Sequence, residues 1–458
     1  MSQISGEEKS SKTAVLFAIV LTVFFVSFSI GAINIALPAI GNEFNASAVE
    51  LGWIMSSFTL SSAIFLLPFG KLGDIFGRKR IFSTGIILFT ISVFLIVFSQ
   101  NFAMMILFRA IQGFASAMIF ATSMAIITAV FNPGERGRAF GINVTAVYLG
   151  FVTGPFLGGL LTQFIGWRSI FIVTLPFLIL SCILIKIKIN IEWADAAGEK
   201  FDWKGSLTYG FAMFALMYGI SILPSPMGWV SLAAGLLLAA LFVFIELRVK
   251  NPVFEFSLIF NNKAFAFASS ASLLIYAATN ALPFFTSLYL QYLKGFDARV
   301  AGLIMMSQPL AMTLMAPVAG KLSDKKNPGL IASVGIGIVS FGLILLCFIN
   351  ENTPIPYLIA LLALVGAGFG IFSAPNQNAL MSSVEKKHLG IASGTLGTAR
   401  SIGQMMGMSA AMMLLLFYTG TEPINPSTFP ALISAIRTGF LIFAVFSALG
   451  TFVSLARK

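Results

Sequence analysis

Charge is scarce in this sequence: 10% of its 458 residues are Asp, Glu, Lys or Arg, against roughly 25% in a soluble domain. With 58% hydrophobic residues and 13% aromatic, a water-soluble globule is excluded. Cysteine and histidine are nearly missing. Two cysteines, Cys182 and Cys347, lie inside long apolar runs, and His388 stands alone, so neither a disulfide framework nor a Cys/His metal site can be built. No G-x-x-x-x-G-K-[ST] string occurs, which removes the phosphate cradle that ATP hydrolysis would need. No span carries a carboxylate pair near its centre, so the chain offers no acid–base machinery for an enzyme. Neither cofactor nor metal is expected.

What the sequence has is apolar length. About 20 apolar residues in a helix cross the ~30 Å hydrocarbon core, and fourteen such runs occur, near 13–40, 51–70, 81–99, 102–129, 138–161, 169–189, 203–222, 228–247, 264–290, 299–320, 329–349, 355–376, 389–417 and 432–455. The first follows Lys9 and Lys12 but is too long for the apolar region of a signal peptide, so it reads as a retained helix. Continuous runs also exclude a membrane barrel, whose strands alternate.

The basic residues orient the chain. With the N-terminus inside, 22 Lys and Arg fall on inner segments and four (Arg168, Lys294, Arg299, Arg437) on outer ones, leaving Arg109 and Arg400 within spans. Basic residues concentrate in cytoplasmic loops, so both termini are expected in the cytoplasm. The net charge of +11 therefore reflects loops, and nucleic-acid binding is not expected.

The chain also repeats. Gly-Lys-Leu-Gly-Asp74 begins at Gly70 and Gly-Lys-Leu-Ser-Asp324 at Gly320, 250 residues apart, each at the inner end of an even-numbered span. Two homologous bundles with a substrate site between them would show such self-similarity. Spans 1–6 and 9–14 form two sixes, and spans 7 and 8 are an inserted pair. The expected organisation is a tail (1–12), an N-terminal six-helix bundle (13–190), a linker with the inserted pair (191–263), a C-terminal bundle (264–455) and a short tail (456–458). Gly70, Asp74, Gly77, Arg78, Lys79 and Asp324 are candidates for an inner gate: glycine permits tight turning, and the charges can break and reform pairs.

The string from Gly70 to Lys79 resembles the loop signature of the major facilitator superfamily, and the fourteen-span layout is similar to its 14-helix drug:proton antiporter branch. Further matches are Arg109-Ala-Ile-Gln112-Gly113, Glu135-Arg136-Gly137-Arg138-Ala139, Trp167-Arg168-x-x-Phe171, Phe201-Asp202-Trp203 and Ala399-Arg400-x-x-Gly403. In span 5, Gly141, Gly150, Gly154-Pro155 and Gly158-Gly159 resemble the branch's antiporter signature. Small residues at this spacing let helices approach backbone to backbone while Pro155 bends the span. The resemblance implies an all-α polytopic membrane protein of the major facilitator fold, with two pseudo-symmetric six-helix bundles plus two extra helices. It implies export of lipophilic or amphiphilic compounds from a prokaryotic cytoplasm by proton antiport. The partners expected are small lipophilic substrates, protons and membrane lipids, with the chain acting as a monomer.

One departure stands out. The branch typically carries an Asp in span 1 shortly before Asn-x-Ala-Leu-Pro, and here Ser29 holds that place before Asn34-Ile-Ala-Leu-Pro38. A proton carrier normally needs a carboxylate that loads and unloads. The remaining coupling candidates are Arg109, whose counterpart in the family is thought to take part, and the peripheral acids Glu246, Asp74 and Glu50. Polar and aromatic residues near mid-span give a candidate substrate cavity: Asn34, Phe58, Arg109, Gln112, Tyr148, Tyr276, Asn280, Phe284, Gln308 and Gln404. An apolar wall with few polar groups suits amphiphiles better than sugars. A proton-independent facilitator, or an importer of one small-metabolite class, is the alternative on the same fold.

Overall fold

A bilayer core supplies no water to unpaired backbone groups, so each crossing segment must satisfy its own N–H and C=O groups as a helix. The computed structural model describes residues 2–188, 191–249, 252–254, 256, 262–323, 325–384 and 389–456, and is all-helical. The fourteen elements are α1 (Ser2–Phe44), α2 (Ala48–Phe76), α3 (Arg78–Val97), α4 (Phe102–Val130), α5 (Pro133–Phe164), α6 (Arg168–Lys188), α7 (Trp203–Ser221) and α8 (Pro226–Glu246), then α9 (Lys263–Leu293), α10 (Ala298–Ser323), α11 (Pro328–Leu346), α12 (Ile355–Ser382), α13 (Leu389–Thr419) and α14 (Phe429–Leu455).

Thirteen helices among the described residues are long and apolar enough to cross a membrane. The exception to the fourteen expected runs is α7, whose 19 residues include Lys204, Ser206, Thr208, Tyr209, Tyr218 and Ser221. The expected single run 264–290 is a broken helix: Lys263–Thr279, then Leu282–Leu288 entered through Pro283, then a π-helical turn at Tyr289–Leu293. Proline lacks the donor that would continue the ladder. Apart from the segments after α6 and α8, the connections are short, and several helices are capped from their own sequence. Ser47 and Glu50 form a reciprocal capping box on α2, Asn101 accepts from the Met104 N–H at 2.9 Å to start α4, and Asp297 accepts from Val300 N–H at 2.8 Å to start α10. These caps satisfy donors that the first turn leaves without partners.

The packing is doubled. In the first six helices the neighbours are α1–α5, α1–α6, α2–α4, α3–α4 and α3–α6; adding eight to each label gives α9–α13, α9–α14, α10–α12, α11–α12 and α11–α14, all of which pack as well. The close approaches repeat too. A Cβ on Gly113 (α4) would lie 2.2 Å from the Phe58 carbonyl oxygen on α2, and one on Gly366 (α12) 2.0 Å from that of Gln308 on α10. Gly150 and Gly154 press on the α1 backbone as Gly403 and Gly407 press on that of α9. The seams between the halves are paired in the same way, α5 against α10 and α2 against α13.

The inserted pair stands outside this symmetry. Helices α7 and α8 pack on each other, and α7 also touches both α2 and α13. Tyr209 donates its hydroxyl to the Ala63 carbonyl on α2 at 3.1 Å, and Leu60, Ala63, Met213, Met217, Phe242, Phe254 and Met405 form one buried cluster there.

Candidate functional site between the two halves

Antiparallel helices place the beginnings of odd and the ends of even elements on one face, with both chain ends; the opposite face is called distal here. The halves close on each other distally. Ser287 on α9 donates to the Asn34 carbonyl oxygen on α1, and Gln291 donates to the Ile35 carbonyl at 2.9 Å. Gly302 of α10 lies against the Pro155 carbonyl, Gly159 of α5 against the Ala298 carbonyl, and Gly52 of α2 against Met412 of α13. The Ser56 hydroxyl meets the Met412 sulfur at 3.0 Å. The α2–α13 seam continues toward the termini face, to Leu66 and Gly397.

The glycines of α5 divide their work. Gly150, Gly154 and Gly158 meet Phe24, Gly31 and Ala32 of α1 in their own half, and a Cβ on Gly141 would meet nothing within 4 Å. Pro155 and Gly159 face the other half. The signature is therefore chiefly the α1–α5 packing stripe, with one end at the seam.

Two polar groups form between the distal seam and the termini face. In the first half, Arg109 is wholly buried; its Nε donates to the Ile54 carbonyl at 3.2 Å, one Nη donates to the Gln112 side-chain oxygen, and the other Nη has no partner among the described residues. The guanidinium stacks over the Phe58 ring at 4.5 Å. A cation over an aromatic face is attracted by the ring quadrupole, yet no carboxylate neutralises this one among the described residues. In the second half, Arg400 donates to the Gln377 side-chain oxygen at 3.3 Å and lies 5.5 Å from the Tyr276 ring, which is edge-on to Phe369 at 5.2 Å. Asn280 donates to the Gln404 carbonyl at 3.2 Å, in the break of α9. Tyr148 of α5 reaches across to hydrogen-bond Ser373 of α12 at 3.2 Å.

Of the sequence candidates, Phe58, Arg109 and Gln112 thus form one cluster, and Tyr276, Asn280 and Gln404 belong to another, with Tyr148 bridging. Asn34 is 6% exposed and spends its side-chain N–H on the Ile30 carbonyl at 3.1 Å. Phe284 is buried against Phe285, and Gln308 gives its backbone to the α10–α12 crossing. The groups that sequence reading passed over are Phe369, Ser373 and Gln377 on α12. Their signal was a polar stretch, Ser373-Ala-Pro375-Asn376-Gln377-Asn378, inside an otherwise apolar run.

The peripheral acids are engaged elsewhere. Glu50 caps α2, and Asp74 holds Arg78 at 2.7 Å. Ser29 donates its hydroxyl to the Phe25 carbonyl at 2.9 Å and is fully buried. The Gly70–Lys79 loop is clasped by the acidic segment that follows α6: Arg78 reaches Asp195 at 2.8 Å, Lys71 reaches Glu199 at 2.6 Å, and the Lys79 N–H donates to Glu192 at 2.8 Å. Gly77 has φ +116°, and a Cβ there would lie 2.3 Å from the Glu192 carboxyl carbon; Gly70 meets nothing within 4 Å. Asp324 lies outside the described residues. On the distal face, Glu43 accepts from Trp167 Nε1 at 2.7 Å and pairs with Arg168 at 2.7 Å, tying α1 to α6.

Two pseudo-symmetric six-helix halves around a polar–aromatic interior define a membrane transporter, not an enzyme. The family model described as "Major Facilitator Superfamily" matches residues 19–408 and 268–457. This chain belongs to the major facilitator superfamily. It is 30% identical over 400 residues to the riboflavin transporter RibZ of Clostridioides difficile, covering 86% of each chain. It is also 30% identical to the multidrug resistance protein Stp of Mycobacterium tuberculosis, across 86% of this chain and 74% of that one. A solved bacterial homologue of the human lysosomal transporter Spinster, inward-facing and unoccupied, shares the fold with TM-score 0.71 at 17% identity, covering 98% of this chain and 97% of that one.

Proposed function

We propose that this transporter exports lipophilic and amphiphilic compounds from a prokaryotic cytoplasm by alternating access, with both termini cytoplasmic and export driven by proton entry. The observation that carries the reading is the chemistry of the interior. Tyr148, Tyr276 and Phe369 are partly exposed rings and Gln377 and Arg400 the partly exposed polar groups beside them, while Phe58, Arg109 and Gln112 form a buried cluster. Such a lining suits bulky apolar molecules with one polar end better than a polyhydroxylated solute, whose every hydroxyl would need a partner. Relatives named for multidrug resistance and for drug efflux support it.

A second reading has its own support. Ser29 stands where the branch carries an acid, and RibZ is named for transport of one metabolite. On that reading the chain is a proton-independent carrier for a single small-metabolite class.

Everted vesicles holding an imposed pH gradient separate the two. Collapse of the gradient by several unrelated amphiphiles, absent from empty-vector vesicles, is the expected result, and it directs the search for the proton carrier to Arg109, Glu246, Asp74 and Glu50. No collapse, with labelled riboflavin or another single solute moving down its own gradient, overturns export by antiport in favour of the facilitator.

A further inference from the structure

The inserted α7–α8 pair holds a pair of carboxylates outside the polar–aromatic interior. Glu246, the last residue of α8, is 4% exposed. One of its carboxylate oxygens accepts from the Phe254 N–H at 3.0 Å; the other, Oε1, has no surface and no hydrogen-bond donor among the described residues. Asp202, the N-cap of α7, is built the same way: Oδ1 accepts from the Gly205 N–H at 2.9 Å, and Oδ2 is buried without a donor.

The two orphan oxygens border the same glycine. A Cβ on Gly205 would lie 2.3 Å from Asp202 Oδ2 and 2.4 Å from Glu246 Oε1, so both carboxylates converge on the space that this glycine leaves free.

No cation compensates them among the described residues. Arg248, two residues on, stacks over Phe244 at 3.9 Å. Lys71 on α2 is held by Glu199, and Arg400 on α13 lies by Tyr276. Lys200 and Lys204 are exposed, and the Tyr209 hydroxyl is given to Ala63. Other carboxylates near helix ends have partners: Glu43 has Arg168, Asp74 has Arg78, Asp297 caps α10. Two carboxylates with buried oxygens around one space repel each other when both are ionised, and one proton between them relieves that repulsion.

We propose that Asp202 and Glu246 form a proton-binding dyad, holding one shared proton at neutral pH and fastening the base of the α7–α8 hairpin. Losing that proton sets two like charges against each other beneath Gly205 and loosens the grip of Glu246 on the segment leading toward α9. The site stands whether or not transport is driven by protons.

Infrared spectroscopy of the purified full-length protein tests it. The expected spectrum at neutral pH contains a carboxylic-acid C=O band that disappears as the pH is raised and is missing from the Asp202→Asn/Glu246→Gln double variant. Absence of the band from the wild type at neutral pH, or its persistence in the double variant, overturns the proposal. Should the variant fail to fold, the wild type still decides. A folded state that keeps a proton the unfolded chain releases loses stability with rising pH, by up to about tenfold in the unfolding equilibrium per pH unit. The melting temperature is therefore expected to fall as the pH rises from about 5, where unfolded carboxyls release their protons, to the pH at which the infrared band disappears, equally in sodium, potassium or calcium chloride. A melting temperature independent of pH, or one restored at alkaline pH by one of these cations, overturns a proton as the occupant.

Discussion

Ser287 of α9 gives its hydroxyl hydrogen to the backbone carbonyl of Asn34 in α1, one half of the molecule bonding to the main chain of the other. Around it the distal seam is made of glycines, hydroxyls, an amide and a thioether. Such contacts separate without leaving a bare charge in hydrocarbon.

If that seam opens during transport, fastening it must stop the cycle. A Cβ on Gly52 would lie 2.7 Å from Met412 Cγ, a separation from which a disulfide's ~3.5–4.5 Å Cβ spacing is accessible. With Cys182 and Cys347 replaced by alanine, the Gly52→Cys/Met412→Cys pair is expected to cross-link on oxidation and to arrest vesicle transport until reduced. Undiminished transport by fully cross-linked protein would mean that the α2–α13 contact does not break.

Arg109 is the second test. Hydrogen bonds from a charged group contribute about 1.5–3 kcal/mol each, and Arg109 makes two while keeping one Nη free. Arg109→Ala is expected to lower transport at least about tenfold at unchanged membrane abundance, measured by labelled-substrate flux normalised to immunoblot. Arg109→Lys, which keeps charge but not the fork, is expected to recover part of it. Normal flux in the alanine variant would remove Arg109 from the site.

The doubled glycine crossings predict doubled consequences. Gly113→Ala and Gly366→Ala each force a methyl onto a carbonyl of the neighbouring helix, and overpacking of this kind costs about 1–3 kcal/mol. Both are expected to lower the melting temperature in detergent by similar amounts, whereas Gly141→Ala and Gly337→Ala, with nothing within 4 Å, are expected to leave it unchanged. A large difference between Gly113 and Gly366 would deny their equivalence.

At the loop after α2, the ion pairs are partly exposed and each is worth little, about 0–1 kcal/mol. Asp195→Asn is therefore expected to shift the melting temperature slightly and to lose even that effect in high salt. Gly77→Ala is expected to act more strongly, because φ +116° strains any L side chain and its methyl would drive Glu192 away. The check is limited proteolysis within 191–199, accelerated in Gly77→Ala and close to wild type in Asp195→Asn.

Much of this was readable from residues alone, because bilayer thickness and backbone satisfaction leave few choices for an apolar run. The helix-2 loop repeat reported the doubling that the packing displays. What was not readable is where long-range partners lie. Tyr148 could be placed at mid-span, but its bond to Ser373, 225 residues away, depends on how two helices cross. The same holds for the basic Gly70–Lys79 stretch, whose acidic partners other than Asp74 come from the segment after α6. Interruption of α9 was hidden because Asn280, Ala281 and Pro283 sit in a run whose average composition remains apolar. The reach of Arg400 toward Gln377 likewise depends on how α12 and α13 lie against each other.

Helices α7 and α8 lie across one seam and leave its symmetry mate bare. The α2–α13 junction is bridged from outside by a hairpin that grips both halves, and among the described residues no inserted helix does the same at the α5–α10 junction. The two lateral approaches from the lipid to the interior are mechanically unlike, and a molecule entering sideways from the bilayer meets a spine on one flank and an edge on the other.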